Sequence, residues 1–311
     1  MPKIIVIGGA NIDIIGQSLS ELVLHDSNMG LIHLSFGGVG RNIAENAARL
    51  DQTVYLVTIF SSDSLGEMLM KHCQSLKINC DYSRVLDAPS STYLAILDQS
   101  NDMHVAIADM RLLDQMTTDD IDRIIPLINP DDICVLDTNL KSELIEYCVN
   151  HIDAMIALDP ISTHKADKVS TLLAKLDIFK PNQYEAAALC GFPLDDEAMI
   201  VKALHYFADQ GIGQIMISCQ AKGVYAYDHH TLLHYWIDQV DIVNATGAGD
   251  ALFGAYLSYT CMGYTFSQAL EYAIIASVVN LRSEETVALD LSQKTLEQFI
   301  QLYKIEKEAI C

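Results

Sequence analysis

The sequence is poor in basic residues. Its 19 lysines and arginines stand against 41 aspartates and glutamates, which gives a formal net charge of −22. Nucleic acids and anionic membrane surfaces are bound through basic patches, so neither is expected as a partner. A bound polyphosphate would have to be held locally by backbone N–H groups, a metal ion or a few specific cations.

The sequence also lacks the marks of a zinc-binding, secreted or membrane protein. Its eight cysteines form no C-x-x-C pair, so reduced thiols are expected and a zinc site is not. No apolar stretch is long enough to span a bilayer. The first apolar run is too short for a signal peptide and ends in Gly8 and Gly9. A cytoplasmic protein is therefore expected.

Apolar, β-rich runs alternate with helical patterns along most of the 311 residues. This alternation predicts an α/β fold with a mainly parallel central sheet and helices on both faces. The predicted strands are Lys3–Gly8, Thr53–Ile59, Asp132–Asp137, Asp153–Asp159, Asp177–Lys180 and Gln214–Cys219. The predicted helices are Arg41–Leu50, Ser64–Leu76, Lys141–Asn150, Thr163–Leu176, Asn182–Cys190, Glu197–Gln210 and a stretch from Ala248 to Arg282 that breaks near Gly263.

Two regions depart from that alternation. Residues 12–36 hold turn signals and short strand-like pieces, and residues 90–109 predict two strands joined by a turn at 98–102. These pieces could pair into a small separate β-sheet. We therefore expect one domain over 1–311, with a lid formed by excursions at about 12–36 and 90–109.

The strongest local motif is Asn244-Ala245-Thr246-Gly247-Ala248-Gly249-Asp250, which leads directly into a helical pattern. Small residues let a backbone approach a ligand closely, and a helix start offers free N–H groups and a partial positive charge to an anion. Asp250 would lie in the first turn, where a carboxylate can take a proton from a hydroxyl that attacks phosphorus. The alternative is that Asp250 only caps the helix.

A second glycine cluster, Gly37-Gly38-Val39-Gly40, precedes the helix that carries Asn42. Close backbone approach and a polar side chain suit a polyhydroxylated ligand, although a tight turn with Asn42 as a local cap would look the same. The spacing is not a dinucleotide fingerprint, because the later glycine is missing and the cluster does not follow the first strand. A nicotinamide-dependent dehydrogenase is therefore disfavoured.

Two further motifs lie at predicted strand ends. Asn182 and Glu185 would share a helix face, either to organise Mg²⁺ near phosphates or to form a capping box. Asp13 follows the first strand and could chelate two vicinal hydroxyls or form a local turn. Phosphoryl transfer to a sugar hydroxyl requires all of these features: anion loops, a base, a metal-organising pair and an acid that binds a diol.

This combination of motifs resembles the ribokinase-like (PfkB) carbohydrate kinase family, from Ile4 to about Leu289. The resemblance implies a large α/β domain with a β-sheet lid, and ATP and Mg²⁺ as cofactors. It implies Asp250 as catalytic base, Gly247, Ala248 and Gly249 as the anion hole, Asn182 and Glu185 as the Mg²⁺ and phosphate motif, Asn11, Asp13, Gly38 and Asn42 as substrate-binding residues, and Ser218, Gly223 and Thr246 as nucleotide contacts.

Within the family, the chain is most similar to the branch that phosphorylates pseudouridine. Asn244 stands where most sugar kinases of the family have aspartate, and Lys165 falls where this branch keeps a lysine near the substrate. Met29 departs from the proline usual in the branch. The segment 282–286 lacks the glycine of the family's monovalent-cation loop, which argues against a K⁺ site. If K⁺ binds, Asn244 and Thr246 would be its ligands.

Several alternatives remain open at this point. Another kinase of the same fold could act on ribose, fructose, adenosine or another nucleoside, because specificity resides in the lid. A non-catalytic ligand sensor is disfavoured by the intact Asp250 and by Asn182 with Glu185. A homodimer that pairs the lids of two subunits is expected from the family.

Overall fold

The structure, a computed structural model, describes residues 2–310 and is built on a nine-stranded sheet. Six strands run parallel and three antiparallel strands extend one edge. In spatial order they are β15 (Glu306–Ala309), β14 (Leu232–Trp236), β13 (Val224–Tyr227), β12 (Gln214–Ser218), β11 (Ile178–Phe179), β10 (Met155–Asp159), β9 (Ile133–Asp137), β1 (Ile4–Ile7) and β4 (Val54–Val57).

Helices cover both faces of this sheet, because successive strand residues point to opposite sides. Ile4 and Val6 of β1 belong to one hydrophobic core, whereas Ile5 and Ile7 belong to the other. The first core is completed mainly by α1 (Val39–Arg49), α2 (Ser64–Ser75), α8 (Ala248–Cys261), α9 (Phe266–Leu281) and α10 (Gln293–Leu302). The second is completed mainly by α3 (Thr118–Asp122), α4 (Ser142–His151), α6 (Gln183–Cys190) and α7 (Glu197–Asp209), and the short helix α5 (Thr163–Ala166) packs against α6.

A separate four-stranded sheet contains the two excursions predicted from the sequence. Its order is β3 (Gly30–Gly37), β2 (Asn11–Ser18), β7 (Thr92–Leu97) and β8 (Met103–Asp109). β2 continues from the first strand of the main sheet, and β3 leads directly into α1. The small sheet is therefore attached to the main sheet at the ends where the glycine motifs lie. Two short strands, β5 (Ile59–Ser61) and β6 (Arg84–Leu86), form a further parallel pair.

The structure confirms the six predicted core strands and the predicted mainly parallel sheet. The prediction of one helix over Thr163–Leu176 was wrong, because only α5 is α-helical and two 3₁₀ turns follow. The hydroxyl of Ser170 donates to the carbonyl of Asp167 at 2.8 Å, a local bond that competes with helical pairing. The antiparallel strands β13 to β15 were not predicted either.

Among residues 2–310, no helix combines the length and hydrophobicity that a membrane span needs. Seven cysteines are free thiols, and five of these are buried, as expected for inert core residues. Cys311 lies outside the described residues.

Candidate active site

Polar side chains gather where the parallel strands end. Asp137 closes β9, Asp159 closes β10, Lys180 follows β11 and Ser218 closes β12. Because these strands are parallel neighbours, their carboxyl ends meet at one edge of the sheet, where ligands bind in open α/β folds. The candidate site therefore lies at this edge.

The buried cation at this edge is Lys180. Its Nζ lies 2.7 Å from Oδ2 of Asp159, and both side chains are less than a tenth exposed. Burial alone would lower the pKa of Lys180, but the negative charges of Asp159, Asp250 and Glu185 outweigh it and raise that pKa. The lysine is thus held charged among three carboxyl groups. The sequence motifs did not single out Lys180, although its position at a strand end was a usable signal.

Asp250 lies in the first turn of α8 and is 8 % exposed. Nδ2 of Asn42 donates to its Oδ2 at 2.7 Å, across 208 residues of sequence. Burial, together with the nearby charge of Asp159, raises the pKa of Asp250 to about 7, against the opposing effects of Lys180, Asn42 and Arg41. A carboxyl group with such a pKa is suited to exchange protons near neutral pH.

The start of α8 has backbone N–H groups free for an anion, because its N-cap is Gly247, which has no side chain to cap them. Gly247 has a φ of 79°, and a Cβ there would come within 1.9 Å of the carbonyl oxygen of Thr286. Ala248 and Gly249 follow, and Nζ of Lys180 lies 3.4 Å from the carbonyl oxygen of Gly249. The predicted anion loop is therefore next to the buried lysine.

Asn182 and Glu185 form a complete capping box at the start of α6. Oδ1 of Asn182 accepts from the N–H groups of Tyr184 and Glu185, at 2.9 and 3.0 Å, and Glu185 accepts from both nitrogens of Asn182. Burial and the charge of Asp159 raise the pKa of Glu185 to about 7, although Lys180 and the bonded N–H of Asn182 oppose this. The prediction that Asn182 and Glu185 form a capping box is confirmed, and their metal role remains a prediction.

The other glycine cluster joins β3 to α1. Gly38 has a φ of 96°, and a Cβ there would lie 2.5 Å from the carbonyl oxygen of Gly9. This close approach brings the start of α1 against the turn after β1. Asn42, one turn into α1, is buried and reaches across to α8.

Asp137 holds these same loops together. Its carboxylate accepts backbone N–H bonds from Gly9, Gly40 and Asn139, at 2.8, 2.9 and 2.8 Å. Burial raises the pKa of Asp137, and the three N–H groups oppose that change. The sequence motifs did not identify Asp137, since nothing local in the sequence reveals partners so far along the chain.

Asp13 and Lys165 lie on either side of the turn after β1. Nδ2 of Asn11 donates to Asp13 at 2.6 Å, and burial raises the pKa of Asp13 above its usual range. Nζ of Lys165 donates to Oδ1 of Asn139 at 2.6 Å, and the side chain of Asn139 packs against Gly9. The predicted substrate residues are thus brought to one region.

The residues predicted to contact the nucleotide lie at the end of β12, in the turn that follows it and just before α8. Ser218 pairs with Asn182 in an isolated parallel bridge, and Gly223 closes the turn that follows β12. Asn244 accepts from the N–H of Thr246 at 2.9 Å and donates to the carbonyl of Glu284 at 3.1 Å. The carboxamide of Asn244 therefore joins its own loop to the 282–286 segment.

Comparison with known proteins agrees with this geometry. The profile of the pfkB family carbohydrate kinases matches residues 1–293. The chain belongs to the pfkB family. Pseudouridine kinase of Escherichia coli K12 is 31 % identical over 293 residues, which are 93 % of each chain. These relations confirm the family predicted from the motifs.

Solved structures extend the similarity to the fold. A candidate sugar kinase from Clostridium perfringens superposes with a TM-score of 0.89 at 31 % identity, over 100 % of this chain and 99 % of that one. A candidate ribokinase II from Escherichia coli, solved with ATP and Mg²⁺, gives a TM-score of 0.82 at 17 % identity, over 97 % and 100 %. The pfkB fold therefore extends over almost the whole chain.

Gly247→Ala tests whether the anion loop depends on close backbone packing. Its matched control is Gly263→Ala, because Gly263 has a similar φ of 84° but no atom within 4 Å of an added Cβ. We expect the control to cost about 1 kcal/mol, from backbone conformation alone. Gly247→Ala should cost roughly 2–4 kcal/mol, because the added Cβ also displaces the carbonyl of Thr286. Urea unfolding measures both, and equal costs would contradict the packing argument.

Proposed function

We propose that this pfkB kinase transfers the γ-phosphoryl group of ATP to the 5′-hydroxyl of a ribosyl compound, and that this compound is pseudouridine. The observation that carries the proposal is the position of Asp250. Its carboxyl group is buried, is bonded to Asn42 of the glycine-bounded helix α1, and lies in the first turn of an uncapped helix. A base between a substrate loop and an anion loop is the arrangement that phosphoryl transfer needs.

The substrate side supports a ribosyl acceptor. Asp13 and Asn42 can hold vicinal hydroxyls, with Asn11 and Gly38 beside them. Lys165, fixed on Asn139 at 2.6 Å, can reach the polar edge of a base. The 31 % identity to the E. coli pseudouridine kinase and the asparagine at position 244 favour pseudouridine among ribosyl compounds.

The phosphate side fits ATP with Mg²⁺. Mg²⁺ prefers oxygen ligands and usually keeps several waters. Glu185 is buried beside Lys180 and Asp159, and its carboxylate oxygens retain lone pairs beyond those that Asn182 occupies. Asn182 and Glu185 would therefore hold Mg²⁺ through water, with Ser218, Gly223 and Thr246 around the nucleotide. Bound there, Mg²⁺ would neutralise charge on the phosphate oxygens.

In the proposed reaction, the 5′-hydroxyl oxygen forms a bond to the γ-phosphorus while the bond from that phosphorus to the bridging oxygen of ADP breaks. The hydroxyl proton passes to Asp250. The N–H groups of Gly247, Ala248 and Gly249 donate to the phosphoryl oxygens, where charge accumulates. The ammonium of Lys180 lies beside the same loop and adds to this stabilisation.

The four-stranded sheet is proposed to act as a lid and as the dimer interface. Asp13 projects from one face of β2 toward the glycine loops. Because successive strand residues point to opposite faces, the other face of the sheet carries the exposed side chains of Ile32, Leu34, Val105 and Ile107. A contiguous exposed apolar face of this kind is typical of a protein–protein interface. Closure over the substrate would exclude water and limit ATP hydrolysis.

Asp250→Asn tests the assignment of the base. We expect turnover to fall roughly 10²-fold or more, the scale for loss of a general base, because an amide cannot take the hydroxyl proton. Calorimetric titration with ATP should give nearly unchanged affinity. Asp209→Asn, an exposed position at the end of α7, serves as control. Near-normal turnover of Asp250→Asn would show that another group accepts the proton.

A substrate panel tests the acceptor. ADP release is measured with pseudouridine, uridine, adenosine, ribose and fructose under identical conditions, each in KCl and in NaCl. We expect the highest kcat/KM with pseudouridine, because Lys165 can contact the edge of the base that bears two N–H groups and two carbonyls. A higher value for a free sugar or adenosine would replace the proposed substrate. Equal rates in the two salts would exclude K⁺ activation through Asn244 and Thr246.

Ile32→Glu tests the interface on the small sheet. Ile32 is 75 % exposed on β3, and a charge there would have to be desolvated in a dimer. We expect sedimentation to show a dimer for the wild type and a monomer for this variant. Leu302→Glu, at a similarly exposed position on α10, should remain dimeric. A monomeric wild type would rule out the proposed dimer.

A further inference from the structure

Arg41 is a buried arginine inside α1, and only 2 % of it is exposed. Its Nε donates to the carbonyl of Gly37 at 3.2 Å, and its Nη2 donates to the carbonyl of Phe36 at 2.8 Å. The guanidinium also donates to Glu45 and to Oδ1 of Asn42. Buried charges persist only when they are paired and hydrogen-bonded, so this side chain is held in one orientation.

The hydrogen bond from Arg41 fixes which end of the Asn42 carboxamide faces the guanidinium. A guanidinium has only donors, so it can face only the oxygen of the Asn42 carboxamide. The amide nitrogen must then point the other way, where it donates to Oδ2 of Asp250 at 2.7 Å. A reversed carboxamide would place N–H groups against Arg41 and an oxygen against a carboxylate, and both contacts would be repulsive.

We propose that Arg41 is a positioning residue that fixes the carboxamide of Asn42 and thereby keeps Asp250 in its ionised, proton-accepting form. The inference rests on the proposed function only for the role of Asp250 as base. The hydrogen-bond chain Arg41–Asn42–Asp250 is itself a feature of the folded protein. Because only 2 % of Arg41 is exposed, it would act through Asn42 rather than on a substrate directly.

The consequence for pH follows from the groups that face Asp250. Burial and Asp159 raise the pKa of Asp250 to about 7, whereas Lys180, the bond from Asn42 and the charge of Arg41 oppose that rise. Loss of Arg41 removes one favourable charge and frees the amide of Asn42 to turn. The pKa of Asp250 should then rise further. Because the base must be unprotonated, activity would be lost at a higher pH than in the wild type.

Arg49 provides a matched control on the same helix. It also pairs with Glu45, through Nε at 2.9 Å and Nη2 at 2.7 Å, and it donates to the carbonyl of Leu289. It lies two turns from Arg41 and makes no hydrogen bond to Asn42. Removal of Arg49 therefore disturbs the same buried carboxylate without disturbing the proposed chain.

The experiment compares Arg41→Met with Arg49→Met by two measurements. The first is kcat/KM against pH with MgATP and the best acceptor. The second is the ¹³C titration of the Asp250 carboxyl group, assigned with Asp250→Asn, which needs no substrate. We expect the acidic limb and the NMR midpoint of Arg41→Met to move up by about one pH unit, the effect of losing a nearby opposite charge and donor. Arg49→Met should keep the wild-type values.

A double variant tests whether Arg41 acts through Asn42. If it does, Arg41→Met should shift the Asp250 titration less in an Asn42→Ala background than in the wild type. An equal shift in both backgrounds, or no shift in Arg41→Met, would overturn the proposal. Should Arg41→Met fail to fold, Arg41→Gln replaces it. Glutamine has no positive charge to face the oxygen of Asn42, so the same direction is expected, and an unchanged titration would again overturn the proposal.

The two measurements separate this inference from the proposed function. If no acceptor is phosphorylated but the Asp250 titration shifts as expected, the proposed function fails while the Arg41–Asn42–Asp250 chain stands. If phosphorylation depends on Asp250 but neither readout responds to Arg41, the kinase proposal stands and the positioning role fails.

Discussion

The ion pair between Lys180 and Asp159 is the constraint on which the rest of the site depends. It joins the ends of two neighbouring strands, β10 and β11, and it places a positive charge within reach of Glu185 and Asp250. Without that charge, burying these carboxyl groups together would be prohibitive. Removing one partner of such a buried pair typically costs about 3–5 kcal/mol, because the other charge is left uncompensated. The starts of α6 and α8 are therefore held near each other electrostatically as well as by packing.

The proposed substrate side has a comparable anchor in Asp137. Its three N–H donors come from the turn after β1, the start of α1 and the turn after β9, and the most distant donor, Gly9, lies 128 residues from Asp137. One carboxylate thus fixes three backbone segments relative to each other. Because Asn42 lies two residues beyond Gly40, this anchor also determines where α1 presents Asn42 to Asp250. Both halves of the site are therefore held together by bonds within the folded chain itself.

The sequence allowed the parallel strands, the glycine motifs and Asp250 to be predicted, because each has a local signal of period, turn chemistry or helix start. The sequence did not reveal the structural roles of Asp137, Asp159, Lys180 and Arg41, because these roles depend on partners distant in sequence. β15 was missed because Glu306–Ala309 is mostly charged, as an exposed edge strand can be.

The charges of the site also favour a neutral acceptor. On the proposed substrate side, the carboxyl groups are those of Asp13, Asp137 and Asp250. Arg41 is already paired with Glu45, and Lys165 is bonded to the neutral Asn139. A sugar phosphate would bring a further negative charge to this region, in a chain of formal net charge −22. In the proposed reaction, the phosphates of the nucleotide would have the N–H groups of α8 and Lys180 on their own side. Hydroxyl groups, by contrast, can donate to the carboxylates of the substrate side, so an uncharged nucleoside or sugar matches it better than an anion.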